Sequence, residues 1–307
     1  MTQHNNSNSK MSQPLPPSAC HWLEALEQQG KSRHTLTAYQ RALVHFIQWS
    51  ETTYGSPFDA AAVIPRDLRD WKAYQQAVEK TAPATINQRL VALSRFFAWA
   101  VKSGMAHTNP TDDISNIHLP QRQPKGLDKR DLRRLLRAVH TSANLRDIAV
   151  IEVLAGTGLR VGELLALQVG DVALNERSGK LTVRRGKHGG YREVPLTADV
   201  RAALQNYLVH HSEADYPSAP LWLGTRGELS HRSSIVRLLN KYAYQAGIEA
   251  FSPHALRHTF ATRYLEANPG DLRGLAALLG HANLNTVMIY TEPRLEDLAE
   301  RMERIDV

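Results

Sequence analysis

The spacing of apolar positions divides the chain into helical stretches, interrupted once by a pair of strands. Trp22, Leu23 and Leu26 recur at helical spacing behind Ser18, which can cap a short helix that Gly30 ends. A second helix begins near Thr35, with Leu36, Tyr39, Leu43, Phe46 and Ile47 on one face and Arg41 opposite. A third follows Pro65 and turns Leu68, Trp71 and Val78 inward. The fourth runs from about Ala84 to Ser103 on Ile86, Leu90, Leu93, Phe97 and Val101, with Arg95 opposite, until Gly104 stops it. Together these predict a helical domain over residues 18–106. Residues 1–17 are polar and proline-rich and are expected to be disordered. His107 to Gly126 carries Asn109-Pro110, Pro120 and Pro124 with little apolar periodicity, which predicts a linker.

Beyond it, Asp128 caps a helix carrying Leu132, Leu135, Leu136 and Val139, and Leu145 to Ala155 forms the next. Leu181 to Arg184 and Arg192 to Leu196 read as two strands around the glycine-rich turn Gly186-Lys187-His188-Gly189-Gly190. Helices return around Val200 to Leu208 and Ser233 to Ala246. Another starts at Ser252-Pro253, a capping side chain followed by the residue that loses nothing at the first helical position. Leu256 and Phe260 belong to its core face. Leu272, Leu275 and Leu279 form a stripe that stops at Gly280, and after Pro293 a terminal helix aligns Leu295, Leu298, Met302 and Ile305. The expected fold is mainly α with a small antiparallel β-sheet: a helical N-terminal domain, then a mixed α+β domain over 127–307.

Composition narrows the setting. No apolar run approaches the roughly 18 residues that a membrane span needs, and the N-terminus lacks the apolar stretch of a signal peptide. The single cysteine, Cys20, excludes an internal disulfide and suits a reducing cytoplasm. A net charge of +7 points to a polyanionic partner.

The densest chemistry lies between Ser252 and Tyr290. His254 and Arg257, three apart, share a face of the first helical turn, and a helix start carrying an imidazole and a guanidinium suits an anion such as phosphate. His254 and His258 have a metal-ligand spacing, but HALRH lacks the glutamate of the metalloprotease pattern and no third ligand is evident, so no metal is expected. The order H-x-x-R-H, then L-G-H, then a tyrosine nine residues on resembles the active-site motifs of the tyrosine recombinases, the phage integrase and Xer-type site-specific recombinase family. Thr157-Gly158-Leu159-Arg160 through Glu163-Leu164 resembles that family's first arginine box. Gly186-Lys187 through Arg192-Glu193-Val194-Pro195-Leu196 resembles its lysine hairpin, with Tyr191 where many relatives carry a second lysine. Ser32 to Tyr39 is similar to its S-x-x-T-L-x-A-Y pattern.

What the resemblance implies is specific. Arg160 and Arg257 would clamp a phosphate, and Glu163 would orient Arg160. Tyr290 would be the nucleophile, His254 its acid–base partner, His281 a hydrogen-bond donor to phosphate, and Lys187 the proton donor to the leaving sugar oxygen. The expected outcome is a 3′-phosphotyrosyl link with no cofactor. The N-terminal domain would clamp DNA, with Lys31, Arg33, Thr35, Arg41 and Arg95 in contact with it, and Arg185 and His188 contacting it from the hairpin. Expected partners are a double-stranded recombination site, further protomers in a tetrameric synapse and an accessory protein, with a cytoplasmic, nucleoid-associated location and no membrane. The alternatives are a type IB topoisomerase-like strand-passage enzyme and a non-catalytic DNA-binding regulator on the same scaffold.

Overall fold

The computed structural model describes residues 15–119, 126–184, 191–224, 227–280 and 302–303. The chain divides into two compact units, Met1–Gln121 and Arg122–Val307. In the first, four helices form: α1 (Pro17–Gln28), α2 (Arg33–Tyr54), α3 (Pro65–Ala77) and α4 (Pro83–Lys102). Proline starts three of them, where its missing N–H is no loss. At α1 this displaces the expected cap: Pro16 takes that position and Ser18 lies inside the helix. Ser32 does cap α2, its hydroxyl accepting from the Thr35 amide at 3.2 Å.

The core of this unit is aromatic. Trp22, Phe46, Trp71, Phe96 and Phe97 are fully buried, with Phe46 edge-on to Trp71 at 5.2 Å. Two residues expected inside are not. Val78 is 65% and Val101 37% exposed, because each sits where its helix ends and the apolar stripe has rotated off the core. Gln75 is buried in the turn before Val78, its side-chain oxygen accepting from Arg89 Nη1 at 2.7 Å. His45 joins the same network: Trp71 Nε1 donates to its Nδ1 at 3.0 Å, and its Nε2 meets Glu79 at 2.8 Å.

The stretch expected to be a linker from residue 107 is in part built into this unit. Ile114 and Ile117 pack on the aromatic core. The Asn87 amide brackets Ile117, donating to its carbonyl and accepting from its N–H, both at 2.8 Å. Lys72 Nζ donates to the Ser115 carbonyl at 2.6 Å. Single apolar residues held by side-chain hydrogen bonds need no periodicity, so the pattern gave no sign of them.

The second unit holds α5 (Lys129–Thr141), α6 (Leu145–Thr157) and α7 (Val161–Leu165), then β1 (Val172–Leu174), β2 (Gly179–Val183) and β3 (Arg192–Pro195). Next come α8 (Ala198–Leu208), the short pair β4 (Leu223–Gly224) and β5 (Gly227–Glu228), α9 (Arg232–Ala246), α10 (Pro253–Ala267) and α11 (Leu272–Leu279). The sheet is antiparallel in the order β1-β2-β3, with Leu181 opposite both Val172 and Val194. At three residues β1 is too short for alternation to reveal. Ten of the thirteen residues of α6 are buried; a helix buried on nearly every side is the central one, and α5, α8 and α10 pack around it. Its N-terminal Asp147 is buried but satisfied, accepting from Tyr242 Oη at 2.8 Å and Arg146 Nη2 at 2.7 Å.

Ser252 precedes α10 as expected, but its hydroxyl makes no capping hydrogen bond. Among the described residues no helix is long and apolar enough to cross a membrane. The hairpin tip at 185–190 and most of the expected terminal helix lie outside the described residues; Met302, from that helix, is exposed.

Candidate active site

Three helix ends meet where the two arginine motifs converge. α6 closes on Gly158, whose left-handed φ of 63° reverses the chain into Leu159 and Arg160. A Cβ at Gly158 would lie 2.5 Å from Phe260 Cδ1 on α10 and 2.9 Å from Leu279 Cδ2 on α11. Glycine is therefore required here twice, for conformation and for space. Arg160 occupies the N-cap position of α7, where Glu163 Oε2 accepts from its backbone N–H at 2.8 Å and Oε1 from its Nη1 at 3.0 Å.

Arg257 enters the same place from the first turn of α10. It is 5% exposed. Nη1 donates to the Gly158 carbonyl at 2.7 Å and Nη2 to the Leu279 carbonyl at 2.9 Å. Arg160 Nη1 reaches that same Leu279 oxygen at 3.4 Å. The last carbonyls of a helix lack intrahelical donors and carry its negative end, so the end of α11 is a natural acceptor for both guanidinium groups. Gly280 caps α11 with φ of 64°, and His281 follows it directly in sequence.

His254 stands on the exposed side of α10's first turn. Partial burial is the largest influence on it, and the charges of Arg232, Arg257 and Arg160 act in the same direction, holding its pKa below the ordinary histidine value. The imidazole is therefore mainly neutral at pH 7, the form that can accept a proton. Glu163 lies deeper. Burial, the largest influence, pushes its carboxyl up, but a hydrogen bond from Arg192, the Arg160 backbone N–H and the two guanidinium charges together bring it below the usual carboxylate range.

The structure thus brings Arg160, Glu163, His254 and Arg257 into one cluster. Lys187, His281, Tyr290, Arg185 and His188 lie outside the described residues. In the first unit Lys31, Arg33, Arg41 and Arg95 are exposed, and Arg95 lies over the Tyr39 ring at 5.9 Å. Thr35 is half-buried, its hydroxyl 2.9 Å from that of Ser32. Two residues of the cluster were not anticipated. Arg232, at the start of α9, acts on His254 through charge alone, which no local pattern signals. Arg192 did leave a trace: it shares the inward strand face with Val194 and Leu196, and an arginine there needs a buried partner.

The chain matches the Phage integrase family over residues 125–296 and the Phage integrase, N-terminal SAM-like domain over residues 20–104. It is 36% identical to the tyrosine recombinase XerD of Ralstonia nicotianae across 93% of this chain and 94% of that protein. It is 34% identical to the tyrosine recombinase XerC of Neisseria gonorrhoeae, across 91% of each. Among solved structures, the XerH site-specific recombinase bound to palindromic difH substrate in a post-cleavage complex shares the fold at a TM-score of 0.73. That match is 21% identical and covers 92% of this chain and 84% of that one.

Proposed function

We infer that this chain, which belongs to the phage integrase family and is a tyrosine site-specific recombinase, breaks and rejoins double-stranded DNA through Tyr290. The Tyr290 phenol oxygen attacks a backbone phosphorus, forming a P–O bond to tyrosine as the bond to the 5′ oxygen breaks. The DNA is left with a 3′-phosphotyrosyl link, and the departing 5′ oxygen takes a proton from Lys187. The phenol has an ordinary pKa of about 10 and must give up its proton, and His254 is the acceptor. Negative charge growing on the non-bridging oxygens is met by Arg160 and Arg257, with His281 as a further donor. Attack by a 5′-hydroxyl on the phosphotyrosine reverses each step, so strands reseal without an external energy source. Exchange needs two sites, and we assign four protomers to the synapse that holds them.

The observation that carries this reading is the convergence of Arg160 and Arg257 on the Leu279 carbonyl, beside a histidine kept neutral. A guanidinium has five donors in a plane, enough to hold a backbone oxygen and still fork onto phosphate. The relatives are named recombinases, which favours this reading over a topoisomerase-like enzyme. The test is a nicked suicide substrate in excess EDTA. Wild type should give a denaturant-resistant protein–DNA adduct, and Tyr290→Phe should bind the DNA but give none. An adduct persisting in that variant, or one that requires Mg²⁺, overturns the mechanism.

A further inference from the structure

Arg192, the first residue of β3, makes three contacts that the reaction above does not use. Its Nη1 and Nη2 reach the two carboxylate oxygens of Glu163 at 3.1 and 2.9 Å. Its Nε donates to the Leu278 carbonyl at 2.8 Å. The pair is largely out of water, with 12% of the Arg192 side chain and 5% of the Glu163 side chain exposed. Gly280 packs against the guanidinium: a Cβ there would lie 2.7 Å from Arg192 Nη1.

Each contact ends on a part of the phosphate site. Glu163 is the carboxylate that holds Arg160 by both side chain and backbone. Leu278 precedes the residue whose carbonyl receives both Arg160 and Arg257. Arg160 alone links Glu163 to the end of α11 only through one long contact, Nη1 to the Leu279 carbonyl at 3.4 Å. Arg192 joins the same two parts with shorter bonds, a two-pronged grip on Glu163 and Nε on the Leu278 carbonyl. If packing alone were at stake, an apolar side chain would fill this volume without the desolvation of two ions.

We propose that Arg192 is a positioning residue for DNA cleavage, locking Glu163, and through it Arg160, to the helix end that immediately precedes His281. This rests on the reading of Arg160 as a phosphate clamp. The carboxyl of Glu163 is consistent with it, because the Arg192 hydrogen bond is the strongest influence opposing its burial.

The experiment uses the full chain, with single-turnover cleavage of the suicide substrate measured against pH and DNA binding followed by gel shift. Arg192→Ala removes all three contacts. Arg192→Lys keeps a cation beside Glu163, and with it the fold, but cannot make a two-pronged contact. For Arg192→Lys the cleavage rate should fall roughly 10- to 100-fold, by analogy with the loss of outer-shell partners that orient ligands at metal sites, with half-saturating DNA changed less than about twofold. Below the acid limb that His254 sets, a second, steeper fall in rate should also begin at higher pH than in wild type: with its fork gone, Glu163 protonates earlier and releases Arg160. Adding Glu163→Gln should abolish that shift. Wild-type cleavage by Arg192→Lys, or a loss of the same factor at every pH, overturns the positioning role while leaving the Tyr290 mechanism intact. Failure of wild type itself to form an adduct would instead strike the mechanism beneath it, and the proposal with it.

Discussion

Two glycines of the second unit share a backbone conformation but not their surroundings, and the comparison isolates what the meeting of α6, α10 and α11 contributes. Gly158 and Gly247 both cap helices in the left-handed region, at φ of 63° and 64°. An added Cβ at Gly247 meets nothing within 4 Å, whereas at Gly158 it would strike Phe260 and Leu279. Gly247→Ala should therefore cost only the left-handed conformation, about 1–2 kcal/mol. Gly158→Ala adds overpacking of a closed site, about 1–3 kcal/mol more. Urea unfolding of the catalytic unit, read from midpoints at unchanged slope, should separate the two variants by that second amount. Phe260→Leu, which removes the ring edge nearest the new methyl, should cost less in the Gly158→Ala background than in wild type. Cleavage should slow for Gly158→Ala alone, because the Gly158 carbonyl holds Arg257. Stabilities of the two variants within about 0.5 kcal/mol of each other, the usual limit of additivity, would refute the packing account.

Arg257→Lys should cut the cleavage rate at least roughly 100-fold with DNA binding little changed, since an ammonium cannot span the Gly158 and Leu279 carbonyls and also fork onto phosphate; single-turnover adduct formation measures it. Arg232→Gln removes the foremost charge acting on His254, so the histidine's pKa should rise towards 6.5 and the acid limb of cleavage should move up with it; an unmoved limb would exclude His254 as the proton acceptor. Glu163 has a folded pKa below its ordinary 4.5, so its stabilisation is complete above that value and lost as pH falls through the folded one. The stability gap between wild type and Glu163→Gln should therefore narrow from pH 7 to pH 3, and a gap constant over that range would contradict the buried ion pairing.

The helices were legible where a long apolar stripe and a strong stop coincide. In α11 the stripe of Leu272, Leu275 and Leu279 stops at Gly280 as expected; α2 was expected from near Thr35, and its Ser32 cap and Gly55 end came only with the structure. Legibility failed at the ends of elements, where one residue decides the register: Val78 and Val101 continue the spacing, but at Val78 the helix has ended and at Val101 it is the neighbouring Ala100 that faces the core. It failed again at Ile114 and at Ile117, which is anchored by Asn87, thirty residues earlier in the chain. Arg160, His254 and Arg257 were recognisable because residue type and spacing coincide within short segments. Their mutual contacts were not, since the Leu279 carbonyl that unites the arginines is backbone, invisible to any pattern of side chains. Arg192 was readable as part of the lysine-hairpin motif and as an arginine on an inward strand face, with no hint of which carboxylate it meets.

The capping of α11 by residues from other elements makes its two flanks unequal to insertion or deletion. Before the helix, Asn268 to Asp271 forms an exposed turn, with Gly270 at φ of 82° and open space where its Cβ would be. A residue added there can bulge into solvent, as loop tips ordinarily allow. After the helix the chain departs from a point pinned by arginines of α10, β3 and the start of α7. Variation in length among proteins built this way should therefore collect before α11 and spare the helix end that the arginines hold.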